Sequence, residues 1–127
     1  RIKGIHTVTA DEYVNAFRYH DSIARGAHPI DIHVASGPAQ NITFLKTPAY
    51  VPYRALMAPT HPNLLVAGRC LSADKTAFAS LRVQASCMDM GQAAGTAAAI
   101  AAGGNTSVQD VDIAVLIERL RALGSVI

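Results

Sequence analysis

The chain has 127 residues, of which half are apolar, 16% are charged and 6% are aromatic. This composition excludes a disordered chain, and a net charge of +2 with scattered Lys and Arg residues offers no basic stripe to a nucleic acid. The most apolar stretch, 91–103, is shorter than the roughly 20 residues that a membrane span needs. We therefore expect one globular domain with neither a nucleic acid nor a membrane as its partner.

The two cysteines, Cys70 and Cys87, lie far apart in the sequence and form no CxxC motif. This usage suits a reducing compartment, so we expect a cytoplasmic protein with two buried, unpaired thiols. The chain opens at Arg1 with neither an initiator Met nor an apolar leader. We therefore expect a fragment of a longer protein.

The first predicted element is a helix from about Asp11 to Arg18, with a frayed end that reaches toward residue 24. Thr9 and Glu12 have the spacing of a capping box, and apolar residues follow at helical spacing. Gly26 ends this helix, since glycine does not continue a helix comfortably.

Three extended segments follow. Residues 30–34 alternate apolar and polar side chains, which predicts a half-buried strand, and residues 50–57 are expected to be extended. The continuous apolar run 63–68 predicts the strongest strand, of the type that is covered on both faces of a sheet. A parallel strand of this type needs neighbours, so either other polypeptide completes the sheet or the chain forms a small mixed sheet.

Two helices complete the chain. The first is predicted from about Arg82 to Ala102, with the pair Gly103-Gly104 at its left-handed C-cap. The second runs from Asp112 to Leu123, with Asp112 as its N-cap and Gly124 just beyond its end. A strand, a glycine and a long helix in this order can form a ligand site, because Gly68 leaves the main chain accessible and the helix start carries unpaired N–H groups.

Two long segments, 63–73 and 79–99, resemble the carboxy-terminal signature of a bacterial family of FAD-dependent oxidoreductases. Segments 1–11, 21–33 and 51–54 are also similar to that family, in the right order. The resemblance implies a glutathione-reductase-like flavoprotein in which FAD lies across a dinucleotide-binding fold. A GxGxxG turn holds the pyrophosphate in such proteins, and a later strand-glycine-helix unit lies beside the ribityl chain and the flavin ring.

The resemblance also implies which residues bind the cofactor. Gly68 and Arg69 are expected beside the ribityl or pyrophosphate region, although many relatives have an acidic residue where Arg69 stands. Ser80, Arg82 and Val83 are expected at the helix start, where a main-chain N–H meets the flavin ring. The sequence contains no GxGxxG motif, so the pyrophosphate clamp is expected in a missing amino-terminal part.

Candidates for catalysis are His33, Tyr53 and Arg54. His33 is either a proton donor to the substrate or a hydrogen-bonded structural histidine. Tyr53 and Arg54 either bind a substrate carboxylate or belong to a structural ion pair, and Arg18 and Asp21 are expected to pair on the first helix. The histidines show no ligand spacing such as HExxH, so no metal site is expected.

Together these patterns predict an α/β fold in which 1–127 is the carboxy-terminal segment of a flavoprotein. The intact protein is expected to transfer a hydride or an electron pair between FAD and a small organic substrate, and the segment alone is expected to be inactive. Its partners would be the missing amino-terminal part and possible further copies of itself. The alternative is a non-enzymatic α/β module whose alanine-rich helix packs on a partner protein or a second copy.

Overall fold

The computed structural model describes the backbone of residues 1–33 and 40–127 and the side chains of residues 1–32 and 41–127. Its helices and strands alternate irregularly along the chain. They are α1 (Ala10–Val14), β1 (Ser22–Gly26), β2 (Ile30–His33), β3 (Gln40–Thr43), β4 (Ala49–Pro52), α2 (Lys75–Leu81), α3 (Gln84–Gly104) and α4 (Ile113–Ala122). This mixture of helices and small sheets is consistent with the predicted α/β class.

The described strands form two separate two-stranded antiparallel sheets, β1 with β4 and β2 with β3. β2 confirms the strand predicted at 30–34 as far as His33, and residue 34 lies outside the described residues. β1 corrects the expected fraying of the first helix toward residue 24. Ile23 and Ala24 are buried in this strand, which packs on β4 and α3, and that burial outweighs the weak helical preference of the segment.

Helix α1 is shorter than predicted, although its capping box is confirmed. The Thr9 hydroxyl accepts the Glu12 N–H, and the Glu12 carboxylate accepts the Thr9 N–H at 3.0 Å. The helix ends because Ala16 adopts a left-handed backbone with φ of 50°. Phe17, one of the apolar residues at helical spacing after the capping box, is 54% exposed, so burial does not favour further helical turns.

The prediction of a strand at 63–68 is wrong. Leu65 forms only an isolated antiparallel bridge with Met57, and the segment leads into the 3-10 turn Gly68–Cys70. A strand needs a partner along its length, and the described residues give this segment a partner at one point only. The segment 50–57 is extended in β4 and then forms the 3-10 turn Tyr53–Ala55.

The long predicted helix begins and ends differently from expectation. It begins at Gln84 as α3, because Val83 is extended, with φ of −74° and ψ of 157°, and the separate helix α2, which was not predicted, precedes it. α3 runs through both predicted capping glycines, and Asn105, with φ of 50°, takes the left-handed position instead. Asn is one of the few residues that adopt this conformation at low cost, so the glycines are not needed as caps.

The terminal helix and the core agree better with the sequence. The Asp112 carboxylate accepts the N–H groups of Ala114 and Val115 and begins α4, and Gly124 follows the helix with φ of 85°. Both cysteines are free, but only Cys87 is partly buried, so the predicted burial of Cys70 is wrong. Across the described residues, no helix has the length and apolar character to cross a membrane.

The apolar core lies where α3 and α4 pack against β1 of the β1–β4 sheet and where α2 packs against α1 and β2. Its largest fully buried apolar side chains are Tyr13, Tyr53, Ile23, Leu56, Leu71, Leu81, Met90, Leu116 and Leu120. The core thus fixes the position of the α2–α3 junction relative to the segment that ends at Gly68.

Candidate functional site

A cleft of about 520 Å³ lies between the turn Gly68–Cys70 and the junction of α2 with α3. Its lining residues come from both sides of this gap: Gly68, Arg69, Arg82, Gln84 and Cys87. The structure therefore brings together three of the five residues predicted to bind the cofactor, namely Gly68, Arg69 and Arg82.

Gly68 lies against the first turn of α3. Its φ of 61° is left-handed, and a Cβ added there would lie 3.3 Å from Cβ and 3.4 Å from Sγ of Cys87. A side chain at this position would be strained by the backbone and crowded by α3. Glycine therefore lets the turn rest against the first turn of α3, and Gly68 itself is buried in this contact.

Arg69 joins the two walls by a hydrogen bond. Its Nε donates to the main-chain oxygen of Arg82 at 3.1 Å, and Arg82 is the residue that ends α2. The Arg82 side chain leads away from this bond. Its Nε donates to the oxygen of Ala79 at 3.3 Å, and its terminal nitrogen donates to the oxygen of Asp31 at 3.4 Å.

Val83 is the N-cap of α3 and has no side-chain capping hydrogen bond. The start of this helix of 21 residues therefore presents N–H groups without a side-chain acceptor, next to Gln84 in the cleft wall. The aligned peptide dipoles place a partial positive charge at this end. This wall of the cleft favours an electron-rich or anionic group.

Ser80 lies one turn before the cleft, inside α2, and corrects the expectation that it opens the long helix. Its side chain is buried, its oxygen lies 2.8 Å from the Tyr13 hydroxyl, and its hydroxyl also donates to the His28 oxygen. This hydrogen-bond network links α1, α2 and the start of β2. The cofactor contact predicted for Ser80 stays a prediction, and the observed hydroxyl already has two protein partners.

Arg54 forms the structural ion pair that was the alternative to substrate binding. Its Nε and one terminal nitrogen donate to the two carboxylate oxygens of Asp21 at 2.9 and 3.1 Å, and its main-chain N–H adds a third bond at 3.1 Å. Burial by itself would raise the pKa of Asp21, but the hydrogen bonds and charge of Arg54 outweigh it and lower that pKa. The predicted pairing of Asp21 with Arg18 is wrong, and the Arg18 guanidinium lies 5.7 Å from the centre of the Tyr50 ring.

Tyr53 is fully buried, and its hydroxyl donates to the main-chain oxygen of Val108 at 2.8 Å. Burial raises its pKa to about 12, so the phenol stays protonated at neutral pH. His33 ends β2, and its side chain lies outside the described residues. In the described part of the chain, no three His, Cys, Asp or Glu side chains cluster so as to hold a metal ion.

The comparisons with known proteins identify the family of the chain. The sequence model of the family described as FAD dependent oxidoreductase matches residues 1–120. The chain belongs to this family. No curated protein and no solved structure was found to match it. Membership implies an oxidoreductase that uses FAD and acts on small molecules.

The sequence patterns did not predict α2, whose residues precede the predicted site residue Arg82. Lys75, Phe78 and Arg82 lie at spacings of three and four and therefore share one side of the helix. Because the predicted helix began only at Arg82, no helix was predicted at Lys75 and Phe78, and their shared side was not recognised. The Asp74 N-cap, whose carboxylate accepts the Ala77 N–H at 2.8 Å, was the signal that could have revealed α2.

Proposed function

We propose that the chain is the carboxy-terminal segment of an FAD-dependent oxidoreductase that transfers a hydride or an electron pair between FAD and an organic substrate. One observation carries the proposal: the turn at Gly68 and the start of α3 face each other across a cleft, in a chain that matches the family over residues 1–120. The proposal keeps the prediction that the intact protein is a bacterial, cytoplasmic flavoprotein of the glutathione-reductase-like type.

The residues of the cleft fit a flavin better than a side-chain catalyst. Gly68 lets the turn pack closely on α3 at the cleft, and the N–H groups that follow Val83 favour negative charge on a group bound beside them. When bound, FAD supplies the hydride chemistry. In this proposal Arg69 and Arg82 hold the two walls at a fixed separation through the hydrogen bond between them.

The proposal divides the cofactor site between two parts of the protein. The chain contains no GxGxxG motif, so the turn that binds the pyrophosphate is assigned to an amino-terminal part outside this sequence. The segment alone would then hold the flavin weakly and be inactive. Self-association of the intact protein remains a prediction.

A second candidate function is the non-enzymatic module that binds a partner through α3. One observation favours it: a Cβ added at Gly91 or Gly95 would meet nothing within 4 Å, so this side of α3 is open. Small residues there would let another backbone come close. The same side could equally pack on the amino-terminal part of a flavoprotein, so this candidate ranks second.

The visible absorption spectrum after gel filtration with FAD separates the two functions. We expect a flavin band to remain with a longer polypeptide that carries the upstream sequence, and to be weak or absent with residues 1–127 alone. If neither protein retains a flavin band, the assignment of the cofactor site fails. The partner-binding module then becomes the better account of α3.

A further inference from the structure

A second cavity, of about 420 Å³, shares the lining residue Arg82 with the cleft. We call it the α2 cavity, because that helix supplies three of its seven lining residues. Its lining residues are Arg1, Asp31, Ile32, Lys75, Phe78, Ala79 and Arg82. Its volume lies within the range of small-molecule sites in proteins.

The α2 cavity carries more positive than negative charge. Arg1, Lys75 and Arg82 supply three cationic groups, against one carboxylate from Asp31. The hydrogen bonds that Arg1 and Arg82 donate go to main-chain oxygens, which carry no net charge. Within the described part of the chain, Lys75 forms no hydrogen bond or ion pair, and its side chain is exposed. Even with the Asp31 carboxylate fully counted, the wall favours an anion.

The rest of the wall is apolar. Phe78, Ile32 and Ala79 lie between the charged groups, and the Arg1 guanidinium lies over the Phe78 ring at 4.5 Å from its centre. A stacked guanidinium keeps its edge available for hydrogen bonds while its face covers the ring. The cavity therefore combines cationic groups with an apolar surface, which suits an organic anion with an apolar body.

The position of Arg82 connects the α2 cavity with the proposed cofactor site. This residue lines both cavities: its main-chain oxygen accepts the Arg69 bond at the cleft, and its guanidinium leads to Asp31 at the α2 cavity. The substrate of a flavoprotein must lie next to the cofactor for a hydride or electron pair to pass between them. We propose that the α2 cavity binds the substrate and that the substrate is an organic anion with an apolar body, an inference that rests on the proposed function.

The test uses the flavin-loaded protein that carries the upstream sequence, with three probes of similar size. Benzoate and phenyl phosphate are anions, and benzamide is a neutral molecule shaped like benzoate. Binding is measured by titration calorimetry and by the change of the flavin absorption band. We expect at least one anion to bind more tightly than benzamide, with an affinity that falls as salt is added. The tighter of the two anions identifies the charged group of the substrate.

The variant Lys75→Gln removes one charge from the α2 cavity and leaves the cleft residues unchanged. We expect its affinity for the anion to fall by about threefold to tenfold, with little change for benzamide. Lys46→Gln is the matched control, because Lys46 is exposed on the loop between β3 and β4 and does not line the α2 cavity. Circular dichroism of both variants checks that they are folded.

Two results would overturn the inference while the proposed function stands: retained flavin with equal affinity for anion and amide, or an anion affinity that Lys75→Gln leaves unchanged. Loss of flavin from the unsubstituted protein is a different result. It overturns the proposed function, and the assignment of the α2 cavity as a substrate site fails with it. Flavin retention is read in the same samples, so the two failures are distinguished.

Discussion

Two regions of the molecule differ in whether their polar and apolar groups have partners within the chain. In the closed region, which we define as α1, Asp21 with β1, β4 and α2, the buried side chains of Asp21 and Ser80 bond to other parts of the chain. In the open region, which we define as residues 63–70 and the first turns of α3, Leu64 is 45% and Met88 66% exposed. The open region also contains the cleft between Gly68 and Gln84.

The difference separates stability from recognition. A buried polar group without a partner costs free energy, so the complete bonding of Asp21 and Ser80 points to a structural role for the closed region. Exposed apolar side chains and uncapped N–H groups reach a lower free energy when a ligand or another protein surface covers them. Substitutions in the closed region should therefore lower the free energy of unfolding, and those in the open region should change flavin binding.

The largest effect is expected from Asp21→Asn in the closed region. The substitution leaves the Arg54 guanidinium partly buried without its carboxylate, which should lower the free energy of unfolding by about 3 kcal/mol. Urea denaturation measures this change. Glu118→Gln, at an exposed position of α4, is the control and should change the value by less than about 0.5 kcal/mol. A loss below about 1 kcal/mol for Asp21→Asn would contradict the structural role of the pair.

The same pair predicts a dependence of stability on acid. Burial opposes the charged form of Asp21, but the hydrogen bonds and charge of Arg54 outweigh burial. The pKa of Asp21 is therefore lower in the folded protein than the ordinary value of 3.8. The unfolded chain therefore binds the proton more readily. The contribution of Asp21 is complete above that ordinary value and is lost as pH falls through the lower folded pKa. Denaturation midpoints measured from pH 6 to pH 2 should fall less steeply for Asp21→Asn, and parallel curves would disprove this.

Ser80→Ala tests whether Ser80 belongs to the closed region or to the cofactor site. The variant leaves the Tyr13 hydroxyl and the His28 oxygen without this partner, so the free energy of unfolding should fall by about 1–3 kcal/mol. Flavin affinity of the folded protein, followed by fluorescence quenching, should stay within about twofold. A large loss of affinity with unchanged stability would instead support the contact that the family resemblance implies.

Gly68→Ala tests the open region. The left-handed backbone and the contact with Cys87 should cost about 1–2 kcal/mol, and flavin retention should fall as the turn moves away from α3. Gly103→Ala is the matched control, because its added Cβ meets nothing within 4 Å, it lies at the end of α3 away from the cleft, and alanine favours a helix. This control should raise stability by up to about 1 kcal/mol. Equal effects of the two substitutions on flavin retention would contradict the assignment of Gly68 to the cofactor cleft.

The smallest effect is expected from Arg69, whose bond to the Arg82 oxygen holds the cleft walls together. Arg69→Met should lower flavin affinity by about twofold to tenfold, the worth of one hydrogen bond, and barely change stability. Arg69→Lys keeps the charge but lacks the guanidinium Nε. If Arg69 acts through the hydrogen bond, Lys should behave like Met. Full affinity with Lys would show that the charge acts directly on the cofactor.

The sequence predicted the local features of the fold well because their causes are local. The capping box of Thr9 and Glu12, the Asp112 cap and the strand β2 each depend on residues a few positions apart. The family resemblance was equally accessible, and the match over residues 1–120 confirms it at the level of FAD-dependent oxidoreductases. The sequence also indicated the neighbourhood of Gly68 as the place where a ligand could approach the chain.

Tertiary structure decided the rest, because the partners are distant in the sequence. Asp21 bonds to Arg54, not to Arg18, since α1 ends at Val14 and the carboxylate enters the core. Ser80 became a structural residue when Tyr13 and the His28 oxygen met it, and the α2 cavity formed only when α2 packed beside β2. The local sequence pattern indicates which backbone conformation a segment favours. The partner of each buried polar group depends instead on how the segments pack.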